Sequence, residues 1–243
     1  MMERLAIYDK NTNTNLSTMI SLTILDQNGN EIPFETIKEN PIHFIIPRDP
    51  NIFISSMIYY NISTFNSSYH NQTFHYHFIN ISSSLPISIH LEFESININL
   101  SYLLIYKFDQ IPQLNRSMNQ IDGWKLFCSS LHNFSLFLDN QQTINHQTFI
   151  FGLRELTSSE SNEFCLNETL PIPIDPVYFT SDYQIRIYTS GCYYLNKQNQ
   201  WKSDGLIVGS KTNYYETECF STHLTKFASG FVILPETIDW NYI

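Results

Sequence analysis

At 243 residues the chain is long enough to bury the core of one large β domain or two smaller ones. Its net charge is −10, and its 13 Lys+Arg are scattered, which leaves no basic patch for neutralising phosphates and excludes nucleic acid as a partner. Phe (18) and Tyr (15) are abundant alongside Ile, while Gly is only 7 and Ala almost missing, a balance that favours pleated, half-buried strands over helices.

Residues 1–16 are polar and predict no regular element. Alternation predicts strands over 17–25, 43–46 and 52–60, with Asn28-Gly29 forming a hairpin-type turn at 26–30 and Pro47 and Pro50 stopping the second strand. Residues 61–72 read as a polar loop. Strands over 74–79 and 87–93 follow, and 82–86 links them as a hairpin. In the second of these, Ile87, Ile89, Leu91 and Phe93 point one way and Ser88, His90 and Glu92 the other, the pattern of a sheet with one wet face. The run 102–108 is more continuously apolar than these and reads as a central strand. Strands over 124–128, 134–138, 148–153 and 183–188 continue the series. No repeat and no amphipathic helix is visible. Strands at this spacing, with turn residues between them, predict an all-β, twisted β-sandwich. Residues 1–180 form its β-rich upstream part, and 181–243 its C-terminal motif, integral to the same β domain.

Four cysteines suit two disulfides, and nine Asn-x-Ser/Thr sequons stand at Asn15, Asn61, Asn66, Asn71, Asn80, Asn99, Asn115, Asn133 and Asn167. None lies beyond Asn167. Together they favour an oxidising, extracellular setting with glycans at those positions. Met1–Asp9 has no apolar core of a signal peptide, and no 18-residue apolar run exists, so the chain reads as an ectodomain piece of a larger membrane protein. His75 and His77 share a strand face, and His70 and His90 could lie near them. No third ligand is fixed by the sequence, however, and the isolated cysteines lack zinc spacing, so no metal is expected. Trp124 and Trp201 suit core or corner positions, and Gly205-x-x-x-Gly209 is turn chemistry rather than a nucleotide loop.

The densest chemistry lies between Gly191 and Leu234. Cys192 is followed by Trp201, Gly205, Cys219 and then His223-Leu224-Thr225-Lys226-Phe227. A hydroxyl here follows directly after a peptide bond it could attack, and an imidazole two residues earlier could take its proton. Cys-x(8)-Trp with a later Cys-x-x-x-His-Leu-Thr-x-Phe resembles the GPS motif, the self-cleaving end of the GAIN domain of adhesion receptors and polycystin-1-like proteins. The receptor form has two further cysteines, at positions matching Leu206 and Ser221, and losing both together is expected if they formed one bridge. The two-cysteine form is similar to the polycystin-1 branch. Segments beginning at Tyr102, Pro112 and Phe151 carry a fainter likeness of the same kind.

That resemblance implies a Cys192–Cys219 bridge, leaving Cys128 and Cys165 for each other, with Trp201, Gly205 and Phe227 as structural members of the motif. It implies a single-turnover self-cleavage between Leu224 and Thr225, without cofactor or external substrate. His223 accepts the Thr225 proton, Oγ1 attacks the Leu224 carbonyl, the amide shifts to an ester, and water hydrolyses it. A tight kink at Leu224-Thr225 is expected. Phe227, Phe231 and Ile233 share one strand parity and Val232 and Leu234 the other, so the C-terminal strand is expected to stay bound, buried on both faces, as a tether to the membrane part of the parent protein. An extracellular protein or glycan is the ligand class such a module would meet. Two rival readings are a non-cleaving interaction module, favoured by Ser221-Thr222 in place of the receptor form's Cys-Asn, and a carbohydrate-binding β-sandwich, suggested by exposed aromatics alone.

Overall fold

The computed structural model describes residues 15–32, 34–48, 54, 56–61, 74–81, 83, 85–115, 118–129, 134–172 and 180–234. Two antiparallel sheets pack face to face. The larger is ordered β1 (Asn15–Ser21), β18 (Lys226–Ile233), β14 (Tyr183–Leu195), β7 (Ser88–Ser95) and β12 (Phe134–Leu138), and β5 (Ile58–Tyr60) and β15 (Trp201–Lys202) also pair with β14. The smaller is ordered β11 (Gly123–Phe127), β8 (Tyr102–Phe108), β13 (Thr148–Glu155) and β6 (His75–Asn80). A third sheet comprises β16 (Leu206–Val208), β17 (Glu216–Ser221) and β4 (Ile42–Pro47). Two short two-stranded sheets complete the set: β2 (Ile24–Leu25) with β3 (Glu31–Ile32), and β9 (Gln113–Asn115) with β10 (Met118–Gln120). Among the described residues there is one helix, α1 (Ser158–Asn167).

The main core fills the space between the two large sheets. Ile89, Leu91, Phe93, Ile185 and Ile187 enter it from one side, and Leu104, Phe149, Phe151 and Leu153 from the other. β8 is buried on both faces. Tyr102 and Leu104 point into this core, whereas Leu103 and Ile105 join a second cluster with Leu126, Leu156 and Phe164 of α1. The continuous apolar run of β8 follows from that double burial. A third cluster (Phe44, Ile46, Leu206, Val208, Phe227 and the Cys192–Cys219 bridge) seals the small β4–β16–β17 sheet onto the outer face of β14 and β18.

β14 is the spine. Along one edge it pairs with β7 and then β15; along the other it pairs with β5 and then β18. It runs to Leu195, well past the predicted end at 188, because Gly191 lies opposite Gly230 in β18 and both leave room for the buried Tyr193 ring. A Cβ at Gly230 would stand 2.8 Å from Tyr193 Cε2.

Several expectations need correction. Residues 82–86 do not close a hairpin. β6 pairs with β13 and β7 with β14 and β12, so this linker crosses from one sheet to the other. Alternation identifies the core face of each strand, and two strands that face one core from opposite sheets alternate just as a hairpin does. The second face of β7 is not wet over its first half. Ser88 and His90 are buried, with His90 Nε2 3.1 Å from Ser88 Oγ and 2.9 Å from Ser190 Oγ. The strand expected over 17–25 is split by Leu22-Thr23 into β1 and β2, and only 58–60 of the run 52–60 is strand among the described residues. α1 escaped a periodicity search because none of its residues is fully buried. Its start is nonetheless written in the sequence as a capping box: Thr157 Oγ1 accepts from Glu160 N, and Glu160 accepts from Thr157 N.

Candidate functional site

β17 ends at Ser221 and β18 begins at Lys226, so Thr222–Thr225 is the passage from the small sheet into the large one and belongs to no strand. His223 and Thr225 thus stand on a bend between strands rather than within one. Ser221 ties it: its hydroxyl donates to the His223 carbonyl at 2.7 Å and accepts from the His223 amide at 3.1 Å. Two residues earlier Cys219 is bonded to Cys192 of β14, which fixes the bend against the spine. On its other side lies Gly205, with φ +75°, a left-handed conformation that suits glycine. A Cβ there would stand 2.6 Å from Thr222 Oγ1 and 3.5 Å from His223 Nδ1, so the 204–205 turn is in close contact with the bend.

The imidazole of His223 is half-buried, its ring 4.5 Å edge-on from Tyr194 and 5.9 Å from Phe227. Its Nε2 is buried with no hydrogen-bond partner among the described residues. Burial holds this histidine below its ordinary pKa, opposed by the carboxylates of Asp204 and Glu35. Asp204 in turn accepts a 2.8 Å hydrogen bond from the Tyr194 hydroxyl. A neutral imidazole with a free nitrogen is equipped to take a proton. Thr225 is half-buried, and its hydroxyl points towards the Leu195 carbonyl at 3.5 Å, at the end of β14. Neither Leu224 nor Thr225 has a left-handed backbone, so the kink is a change of direction without a positive φ.

Because the bend lies outside the ladders, its backbone groups find partners elsewhere. The Leu224 amide donates to Phe34 O at 3.3 Å, the Thr36 amide donates to Thr222 O at 2.7 Å, and Glu35 forms an isolated antiparallel bridge with His223. On the far side the Leu22 amide donates to Thr225 O at 3.1 Å.

The other predicted positions fall as follows. Cys128 is bonded to Cys165, which pins α1 to β11, and Cys192 to Cys219. Leu206 and Ser221, which stand where the receptor form has its extra cysteines, are direct cross-strand partners in β16–β17. Trp201 opens β15 opposite Leu195, and Phe227 is fully buried beside Phe44 at 4.5 Å. His75 and His77 are neither solvated nor near His223. Both bond the Tyr183 hydroxyl, His77 Nε2 at 2.8 Å, and His77 stacks on Phe151. His90 lies in the other sheet, and His70 lies outside the described residues. Of the sequons, Asn80, Asn99, Asn115 and Asn167 are exposed and Asn61 is half-buried. Asn66, Asn71 and Asn133 lie outside the described residues, as does the side chain of Asn15. Sequence reasoning missed Leu22, Phe34, Glu35, Thr36, Tyr194 and Asp204. Four of these act through the backbone or through long-range packing that no spacing encodes, and only the Asp204-Gly205 turn dipeptide carried a local signal.

Among the described residues no helix is long and apolar enough to cross a membrane. No protein-family model and no solved structure matches the chain. Over 49 residues, 20% of its length, it is 47% identical to polycystin-1-like protein 3 of Mus musculus, and over 49 residues 43% identical to the Homo sapiens protein of that name. The matched stretch spans only 2% and 3% of those relatives' own lengths. Over that 49-residue stretch the identity supports a polycystin-like relationship.

Proposed function

We propose that the chain is an extracellular GAIN-like module of a polycystin-like membrane protein that cuts itself once, between Leu224 and Thr225. Thr225 Oγ1 is the nucleophile and His223 its base. The observation that carries this reading is the placement of His223-Leu224-Thr225 on the bend between β17 and β18, four residues beyond a buried disulfide half, with the His223 Nε2 buried and without a hydrogen-bond partner among the described residues. Leu224 and Thr225 belong to no strand, so no ladder fixes their peptide bond in extended strand geometry, and the contacts on its two flanks can hold it in another. In the step itself the Thr225 proton passes to His223, Oγ1 bonds to the Leu224 carbonyl carbon, and the C–N bond breaks as the amine of Thr225 takes up that proton. Water then hydrolyses the ester. Two disulfides and the polycystin-like relationship support an extracellular setting. After the cut, β18 stays in the sheet between β14 and β1 as a non-covalent tether.

A second reading is a non-cleaving interaction module of the same fold. It is favoured by the hydroxyl of Thr225, which is aimed at Leu195 O rather than at His223. A denaturing gel with mass spectrometry of the purified chain separates the two. Cleavage yields a 19-residue fragment, 225–243 (243 − 224), that stays with the native peak on size exclusion. Thr225→Ala abolishes it, Thr225→Ser retains part, and His223→Ala slows it by roughly 10²–10⁴-fold. An intact wild-type chain after prolonged incubation supports the second reading, and a fragment missing from the native peak refutes the tether.

A further inference from the structure

The junction Leu224–Thr225 is held from both sides by one stretch of chain nearly two hundred residues earlier. Leu22 follows β1, which runs beside β18 from Ser21↔Lys226 to Asn15↔Phe231. The chain then goes out through β2, reverses at residues 26–30 and returns through β3 to Phe34–Thr36. The reversal is stiff: Asp26 Oδ1 accepts from the amides of Asn28 and Asn30, both at 2.8 Å, and Gly29 supplies the left-handed position. The outgoing limb thus touches the C-terminal flank of the junction through Leu22, and the returning limb touches its N-terminal flank through Phe34 and Thr36.

We infer that residues 22–32 and 34–36 are a splint for the self-cleavage site, whose backbone positions the Leu224–Thr225 bond and then keeps hold of both ends that cleavage creates. The inference rests on the self-cleavage reading for its chemistry and on the hydrogen bonds for its geometry. An attack by Oγ1 on the preceding carbonyl needs the two residues frozen in a near-attack arrangement, and a bend without ladder partners cannot freeze itself. The splint supplies the missing partners: it accepts from Leu224 N, donates to Thr222 O and donates to Thr225 O. Its contribution is main-chain, so it places no demand on side-chain identity at position 36, where the Thr36 hydroxyl is engaged with Asn40 O instead. Once the bond is cut, the new carboxyl end at Leu224 remains held by Phe34 and Thr36. The new amino end at Thr225 remains held by Leu22 and β1. Withdrawal of β18 must therefore open the splint as well as the β14 ladder, which makes the N-terminal hairpin a control point for release.

The test begins with amide hydrogen exchange on the full chain carrying Thr225→Ala, where no cut can occur and no splint residue is altered. The amides of Leu22, Thr36 and Leu224 are expected to be protected, and free-peptide exchange at Leu22 and Leu224 overturns the splint. Thr36→Pro removes one donor and should restore fast exchange at Leu224, whereas Thr36→Val keeps the amide and the protection. In the cleavable chain Thr36→Pro should slow the cut about tenfold, the worth of one hydrogen bond, and Thr36→Val should cut at the wild-type rate. Wild-type cleavage by Thr36→Pro overturns the positioning role. If the wild type never cuts, the self-cleavage reading fails by that result alone, and the splint is still decided by the exchange of Leu22 and Leu224.

Discussion

Phe227→Ala offers the sharpest measure of how tightly the first turn of β18 is held. Phe227 exposes none of its side chain, and its ring is 4.5 Å from Phe44. It shares a cluster with Leu206, Val208 and the Cys192–Cys219 bridge, and it borders His223 at 5.9 Å. Truncating a fully buried phenylalanine removes its transfer free energy and leaves a cavity, at a cost of about 3–5 kcal/mol. The neighbours here are a disulfide and strands of two sheets, which cannot collapse inward, so the upper half of that range is expected. Urea unfolding in the uncleavable Thr225→Ala background reads the loss directly. With a slope of about 2–3 kcal/mol/M the midpoint should fall by about 1.3–2.5 M at unchanged slope. Tyr215→Ala, at 71% exposure, serves as the control and should stay within about 0.5 kcal/mol. A loss at Phe227 below about 1 kcal/mol would mean that the cluster under the bend is not packed as described, and the argument from a rigid bend would fail with it.

Acid should weaken the fold in a defined window. Burial, reinforced by neighbouring His77 and Arg48 respectively, pushes His75 and His90 down to about 3, whereas an unfolded histidine titrates near about 6.5. Between those values the unfolded chain takes up protons that the native chain refuses. Stability is therefore fully present above about pH 6.5 and falls as pH falls, by about 1.4 kcal/mol per unit for each histidine. Urea midpoints from pH 7 to 5 test this, and His90→Phe, which keeps the stack on Tyr188, should halve the slope; a flat profile would refute it. Replacing both Cys128 and Cys165 by Ser opens a bridge spanning 37 residues and should cost about 4 kcal/mol in the chain-entropy model. It should also fray α1, whose Phe164 and Cys165 are its apolar contacts with the sheet; unchanged helical circular dichroism would show that the cap and the Arg154–Glu160 pair hold it without the bridge.

Much of the sandwich was legible because burial on a pleated sheet leaves a period-two imprint. The strands over 102–108, 134–138 and 148–153 stand within two residues of where alternation put them. What alternation does not carry is partnership. Whether β6 meets β7 or β13 depends on which sheet each strand joins, and both choices bury the same residues. Polar groups buried in pairs were equally opaque: Ser88, His90 and Ser190 look solvated in sequence and are satisfied by one another in the structure. The same limit applies to the candidate site. His223, Thr225, Trp201, Gly205 and the cysteines stood out as a motif, while the Leu22 and Phe34–Thr36 contacts are made by backbone atoms that every residue has. The C-terminal strand was expected to bury five large side chains. Phe227 and Phe231 are buried, whereas Val232, Ile233 and Leu234 are only half-covered, so the hold on β18 is concentrated over residues 227–231.

The position of β14 at the centre of the larger sheet also governs the order in which the chain can fold. β5, β7, β15 and β18 all hydrogen-bond to it, yet β5 and β7 precede it by some ninety residues or more. A chain leaving the ribosome exposes β7 with one edge open until residues 183–195 emerge, and β1 cannot pair at all until β18 follows. The upstream sheet β11–β8–β13–β6, by contrast, is complete once residue 155 has been made. Folding should thus start on that sheet and finish with β18 inserted between β14 and β1, the pairing of longest loop closure and slowest formation. During that interval the open edges of β1 and β7 are templates for mispairing.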